Sequence, residues 1–162
     1  MKLYIVRHAV AIDRDEFALQ STEDSLRPIT AKGEKKFSRL VQFLKPRIDK
    51  LDLIISSPYK RAYQTAEVLR KMLKPEECQL DERLVPYTKL IDTIEMIKQS
   101  EKESMAIVGH EPHLSALISN LLSGKDKSFI DLKKGSITCL EFSGSIGAGQ
   151  GILKWYVTPG LV

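Results

Sequence analysis

The chain has 162 residues, of which 43% are hydrophobic and 28% charged, and its formal net charge is +4. These values fit one globular domain, residues 1–162, with enough apolar side chains for a core. The aromatic content of 7% and the scattered Lys and Arg residues argue against a nucleic-acid partner, and no stretch is long and apolar enough to predict a membrane partner.

The cysteine pattern and the N-terminus bear on cellular location. Cys78 and Cys139 lie far apart and in no metal-ligand spacing, which is typical of reduced thiols in a reducing compartment. The N-terminal apolar run is short, ends in Arg7 and His8, and has no small-residue cleavage site, so it does not predict a signal peptide. The sequence therefore predicts a cytoplasmic protein.

The chain opens with a predicted strand, a loop and a helix. Residues 3–6 are a short β-rich apolar run, typical of a strand buried on both faces of a parallel sheet. Residues 11–28 are polar and acidic, which predicts a long irregular loop with solvated acids, and such loops often act as functional lids. The apolar spacing over residues 30–46 predicts a helix, and Thr30 with Glu34 resembles a capping box lengthened by one residue.

The middle of the chain repeats this order. Residues 51–57 predict the second strand. Ser57 and Pro58 then resemble an N-cap and a first helical position, which predicts a helix from that point to residue 73. A short strand is predicted over residues 78–80.

The last part of the chain continues the alternation of strands and helices. Its predicted elements are a helix from about residue 89 with Ile91, Ile94 and Ile97 on one face, a strand over 105–108, a helix opened by Pro112 and ended by Gly124, and strands over 136–142 and 152–157. The alternation predicts an α/β protein, a three-layer α/β/α sandwich with a mainly parallel central sheet and a final antiparallel hairpin.

Polar side chains follow three of the predicted strands. Arg7 and His8 follow the first strand, Arg61 lies in the first turn after the second, and His110 follows the strand over 105–108. The carboxyl ends of parallel strands share one edge of a sheet, where ligands bind. We therefore expect these four side chains to meet in one crevice.

Two arginines and two histidines in one crevice predict an anion site. Guanidinium groups suit bidentate contact with phosphoryl oxygens, and helix N-termini add free N–H groups. A neutral imidazole can attack phosphorus and become phosphorylated, and nearby arginines would disfavour its protonation. The same arginines would stabilise charge on the phosphoryl oxygens in the transition state.

The motifs resemble those of the histidine phosphatase superfamily, the phosphoglycerate mutase-like enzymes. The matching segments are Arg7-His8-Ala9, which resembles the family's Arg-His-Gly, residues 57–66 (SPYKRAYQTA), which resemble its second motif, and Val108-Gly109-His110, which resembles its third. Arg27-Pro28-Ile29-Thr30 with Gly33, together with the short length, is similar to the SixA-like phosphohistidine phosphatase branch. Each motif alone is weak, but all of them occur in family order and at family spacing.

This resemblance implies a phosphoglycerate mutase-like fold and assigns roles. His8 would be the nucleophile, Arg7, Arg61 and His110 would bind the phosphoryl oxygens, and Arg27 would add a contact from the loop. No metal and no organic cofactor is expected. Ala9 departs from the family's glycine, and we expect a small effect because no catalytic atom is lost.

The absence of a clear proton donor guides the choice of substrate. Larger family members carry a carboxylic acid that protonates an alcohol leaving group, and here only Glu82 and Glu111 are candidates for that role. An alkoxide is a poor leaving group, whereas the imidazole of phosphohistidine can take a proton on its other ring nitrogen and depart neutral. The favoured hypothesis is a phosphohistidine phosphatase in signal transduction that acts on a phosphorylated protein, a phosphohistidine carrier domain.

Two other functions remain open. A small-molecule phosphomonoesterase or mutase of the same superfamily would be favoured if an acid such as Glu82 reached the pocket. A non-catalytic phosphate-binding module is disfavoured by the presence of both histidines and both motif arginines.

His113 follows His110 without the spacing of a zinc helix, so it is predicted to be structural or pocket-lining.

Overall fold

The structure, a computed structural model, describes residues 1–48, 50–125 and 127–162. The described strands are β1 (Lys2–Arg7), β2 (Leu53–Ser56), β3 (Glu77–Leu80), β4 (Ser104–Gly109), β5 (Ile137–Glu141) and β6 (Ile152–Val157). The described helices are α1 (Arg14–Ala18), α2 (Ala31–Leu44), α3 (Lys60–Leu73), α4 (Leu90–Gln99) and α5 (His113–Ser123).

The six strands form one sheet in the order β3-β2-β4-β1-β5-β6. The first four in this order are parallel to their neighbours, whereas β5 runs antiparallel to β1 and pairs with β6 as an antiparallel hairpin. The predicted sheet and its final hairpin are confirmed. None of the helices in the described ranges combines the length and the apolar character needed to span a membrane.

Alternate side chains of the buried strands pack against helices on opposite faces of the sheet, because successive side chains of a strand point to opposite sides. Tyr4 and Val6 of β1 belong to the apolar cluster that includes α2 and α3. Leu3 and Ile5 belong to the cluster that includes α4 and α5. The result is the predicted three-layer α/β/α sandwich.

The predicted start of α3 is wrong, whereas that of α2 is confirmed except for its capping box. Helix α3 begins at Lys60, with Tyr59 as its N-cap, so Ser57 and Pro58 precede the helix. At α2, Thr30 is the N-cap, and its hydroxyl accepts from the N–H of Gly33. The backbone N–H of Thr30 donates to Val10 O instead of to a Glu34 carboxylate, so the lengthened capping box does not form.

The predicted face of α4 is also only partly right. Ile94 and Ile97 are buried, but Ile91 is 53% exposed. Ile91 lies in the first turn of α4, and the inward-facing positions are instead taken by Thr93 and Met96.

Candidate functional site

A cavity of about 410 Å³ lies at the edge of the sheet where β1, β2 and β4 end. All five sequence-predicted site residues line it, and the full lining is Arg7, His8, Asp13, Arg14, Asp24, Arg27, Tyr59, Arg61, Pro86, Tyr87, His110, Glu111 and Lys134. The expected convergence of three separate segments in one crevice therefore occurs.

Backbone pairing beyond the strand ends positions these side chains. The N–H of His8 donates to Gly109 O at 3.1 Å, and the N–H of Ser57 donates to Val108 O at 2.9 Å. These bonds extend the parallel ladder by one step past β1 and β2. The residues that follow the three strands are thereby held side by side.

The ring of His8 is held in one tautomer. Its Nδ1 lies 2.8 Å from the carbonyl oxygen of Ala9. A carbonyl can only accept, so Nδ1 carries the hydrogen and Nε2 keeps the lone pair. Burial, together with the charges of Arg61 and Arg7, lowers the pKa of His8 to about 3 despite the opposing bond to Ala9. The imidazole is therefore neutral at pH 7.

The second histidine lies against the first. The ring centroids of His8 and His110 are 5.1 Å apart, and so are those of His110 and Tyr59. The Nε2 of His110 is 2.8 Å from the hydroxyl of Ser57, which is fully buried. Burial and the neighbouring His8 and Arg61 lower the pKa of His110 to about 2.

Three buried nitrogen atoms of the site have no hydrogen-bond partner among the described residues. They are Nε of Arg7, Nε of Arg61 and Nδ1 of His110. Buried polar groups in folded proteins are nearly always hydrogen-bonded, so such unpaired groups call for an explanation. The oxygens of a bound phosphoryl group would supply the missing partners, and the two guanidinium N–H groups can only donate.

The remaining guanidinium nitrogens fix the directions of the arginines. An Nη1–H of Arg7 donates to Leu132 O, and an Nη1–H of Arg61 donates to Asp24 O at 2.8 Å. The Cζ of Arg61 lies 5.1 Å from the ring centroid of Tyr59. The guanidinium group of each arginine is thus held by a hydrogen bond from its Nη1 to a backbone carbonyl.

Asp24 is a site residue that the sequence did not single out. Its carboxylate lies 2.9 Å from Nε of Arg27 and 3.0 Å from Nη2 of Arg61, and Arg14 is 3.6 Å away. The bond from Arg27 and the charge of Arg61 lower the pKa of Asp24, against the opposing effect of burial. The sequence grouped this acid with the solvated acids of residues 11–28, and its side chain is 37% exposed, but its ion pair with Arg61 spans 37 positions and therefore leaves no local pattern.

The two candidate proton donors lie in different places. Glu82 is exposed and does not line the cavity. Glu111 lines the cavity, but its Oε1 accepts from the backbone N–H of Ser115 at 3.1 Å. That bond ties the carboxylate to the first turn of α5.

Ala9 and His113 behave as structural residues. Ala9 is buried, its N–H donates to the hydroxyl of Thr65 at 3.0 Å, and its φ is not positive, so no glycine is required there. His113 lies outside the cavity lining, with Nε2 2.8 Å from the hydroxyl of Thr93. Within residues 1–48, 50–125 and 127–162, no group of three or more His, Cys, Asp and Glu side chains is placed to hold a metal ion.

Comparisons with known proteins agree on one family and one fold. Residues 3–85 match the sequence profile of the histidine phosphatase superfamily (branch 1). The chain is 31% identical over 144 residues to an uncharacterised protein of Picosynechococcus sp., a match that covers 87% of this chain and 85% of that protein. It is 24% identical over 163 residues to phosphohistidine phosphatase SixA of Escherichia coli, covering 98% of this chain and 94% of the relative. The solved structure of the protein histidine phosphatase SixA with tungstate has a TM-score of 0.84 at 22% identity, over 99% of each chain.

Proposed function

Because the chain belongs to the histidine phosphatase superfamily, we propose that it is a phosphohistidine phosphatase that works through a covalent phosphohistidine on His8. The observation that carries this proposal is the free Nε2 of His8 beside the unpaired nitrogens of Arg7, Arg61 and His110. Phosphoryl transfer needs a nucleophile whose lone pair points at phosphorus. It also needs hydrogen-bond donors that hold the phosphoryl oxygens.

In the first step Nε2 of His8 attacks phosphorus, and the bond between phosphorus and the substrate imidazole breaks. The departing imidazole takes a proton on its other ring nitrogen and leaves neutral. The arginines and His110 hold the phosphoryl oxygens as charge builds on them. In the second step water attacks the phosphorylated His8, so inorganic phosphate leaves and the neutral ring is restored.

The position of the acids supports a P–N substrate. Glu82 lies outside the cavity, and the Glu111 carboxylate is engaged by the N–H of Ser115. An alcohol leaving group would need a proton donor from the enzyme, whereas imidazole can take its proton from solvent on its other ring nitrogen. The relatives named phosphohistidine phosphatase SixA point to the same substrate class. The guanidinium groups of the cavity neutralise the negative charge of the phosphoryl group, so we propose a reaction that needs no metal ion.

A small-molecule phosphomonoesterase is the second candidate function. It is favoured by the fact that Glu111 lines the cavity, where a carboxylic acid could protonate an alcohol.

The test compares kcat/KM for a phosphohistidine carrier domain with values for a panel of phosphomonoesters, in the presence of EDTA. We expect the carrier domain to be the better substrate by orders of magnitude, His8→Ala to be inactive, and an acid-labile, base-stable phosphate to be trapped on His8. Glu111→Gln should leave turnover of the carrier domain nearly unchanged. Efficient hydrolysis of phosphomonoesters that collapses in Glu111→Gln, with the carrier domain ignored, would establish the second candidate instead.

A further inference from the structure

The mouth of the cavity carries an exposed aromatic side chain that the proposed mechanism does not use. Tyr87 lines the cavity, yet it is 85% exposed. An exposed ring of this size next to a charged pocket buries little of its apolar surface in the free protein. It is therefore available to a bound molecule.

The backbone holds Tyr87 in an unfavourable conformation. Its φ is +68°, in the left-handed region that disfavours side chains larger than Asn or Asp. Strained residues of this kind persist only where the surrounding structure fixes them, and they cluster at binding and active sites.

A network of hydroxyl groups fixes this turn. The hydroxyl of Thr88 lies 3.1 Å from both Val85 O and Arg83 O. The hydroxyl of Thr93 donates to Arg83 O at 2.8 Å and therefore accepts from Nε2 of His113, also at 2.8 Å. Thr93 and His113 are both buried. The turn that carries Tyr87 is thus attached to α4 and α5.

The turn also lies close to the strand that precedes His110. A Cβ added at Gly109 would lie only 3.2 Å from Leu84 O, so the glycine permits this close approach. Gly109 is the last residue of β4, and His110 follows it directly. This contact holds the turn beside the strand that leads to His110, and Tyr87 and His110 line the same cavity.

We propose that Tyr87 is a specificity residue whose ring stacks on the imidazole of the substrate phosphohistidine, an inference that rests on the function proposed above. When the phosphoryl group occupies the arginine and histidine pocket, the leaving group points towards the mouth. An aromatic leaving group gains from stacking on an exposed ring whose backbone is held beside the cavity by the hydroxyl network. A leaving group without a ring gains nothing from it.

The experiment uses two small substrates with the same bond type, N-phosphoimidazole and phosphoramidate, and compares variant with wild type for each. Tyr87→Asn removes the ring and tolerates the positive φ, while Tyr87→Phe keeps the ring. We expect Tyr87→Asn to lower kcat/KM about threefold to tenfold on N-phosphoimidazole and to leave it unchanged on phosphoramidate. Tyr87→Phe should match the wild type on both substrates.

The outcomes separate the two proposals. An equal loss on both substrates, or no loss on either, overturns the role of Tyr87 while the phosphatase function stands. If the wild type cleaves neither P–N substrate but hydrolyses phosphomonoesters, the proposed function fails, and the role of Tyr87 fails with it. The thermal midpoints of the variants are measured alongside, and we expect Tyr87→Asn to be at least as stable as the wild type.

Discussion

Ser57 shows how one buried hydroxyl can set the orientation of a site histidine. Its oxygen accepts from the N–H of Tyr59 at 3.3 Å and lies 2.8 Å from Nε2 of His110. With Nε2 engaged in this way, Nδ1 of His110 is left as the atom without a partner. The hydroxyl is thus a positioning group for the ring.

Ser57→Ala should lower kcat about tenfold, because losing one hydrogen bond to the ring costs about 1–1.5 kcal/mol of orientation. The neighbouring Ser56→Ala is the matched control, since that hydroxyl is equally buried but bonds to Ser57 O at 2.9 Å. Steady-state kinetics and thermal midpoints are measured for both. Equal losses of kcat in the two variants would show that the effect is merely structural.

The site residues that follow strand ends could be predicted from sequence, whereas those defined by long-range contacts could not. Arg7 and His110 were expected in one crevice because parallel strands end at a common edge, and both line the cavity. The bond of Ser57 to His110 joins residues 53 positions apart. The sequence around Ser57 indicated a helix cap instead, since Ser-Pro is typical of that position.

At the scale of elements, the segment between β1 and α2 is more ordered than its composition suggests. Residues 11–28 were predicted to be irregular, but they contain α1 and a 3₁₀ turn over Asp24–Leu26. Asp13 starts α1 by accepting from the N–H groups of Asp15 and Glu16. The segment is closed at its ends by a bridge between Ala11 and Ile29. A short capped helix has too few residues to show an apolar period, so sequence patterning missed it.

The Asp24 carboxylate ties this segment to the arginines of the cavity, and Asp24→Asn tests its effect. Removing the charge leaves Arg27 and Arg61 less neutralised, so vanadate should bind about twofold to fivefold more tightly at low salt, and the gain should shrink as salt is raised. Inhibition constants at two ionic strengths measure this.

Asp13→Asn makes the same charge change at the same cavity, but there the carboxylate caps α1. We expect vanadate affinity to rise less in Asp13→Asn than in Asp24→Asn. Weaker vanadate binding in Asp24→Asn would mean that the ion pair chiefly orients the arginines.

At the scale of the whole molecule, the alternation of apolar strands and helices was enough to predict three layers, but it does not specify the strand order. Strands β2 and β4 are both uniformly buried runs, so their patterns do not reveal which one lies beside β1. The order β3-β2-β4-β1 is set by how the two helix layers pack, which is a property of the assembled core.

The fold also encloses all three histidines of the chain, and this has a consequence for stability. Burial is the largest cause that lowers the pKa of His8 to about 3 and that of His110 to about 2, and it lowers the pKa of His113 as well. In the unfolded chain each imidazole titrates at about 6.5. Below that pH the unfolded state binds protons that the folded state does not, so the free energy of unfolding must fall.

We therefore expect the urea midpoint to be steady above pH 7.5 and to drop between pH 6.5 and 5, before the carboxylates titrate. In His8→Asn the slope below pH 6 should be smaller by about 1.4 kcal/mol per pH unit, the value for one proton. Ring resonances in proton NMR of the native wild type should not shift near pH 6.5. Ring titration at that pH, or a stability that is flat down to pH 5, would mean that water reaches the histidines, and the neutral form of His8 could no longer be attributed to burial.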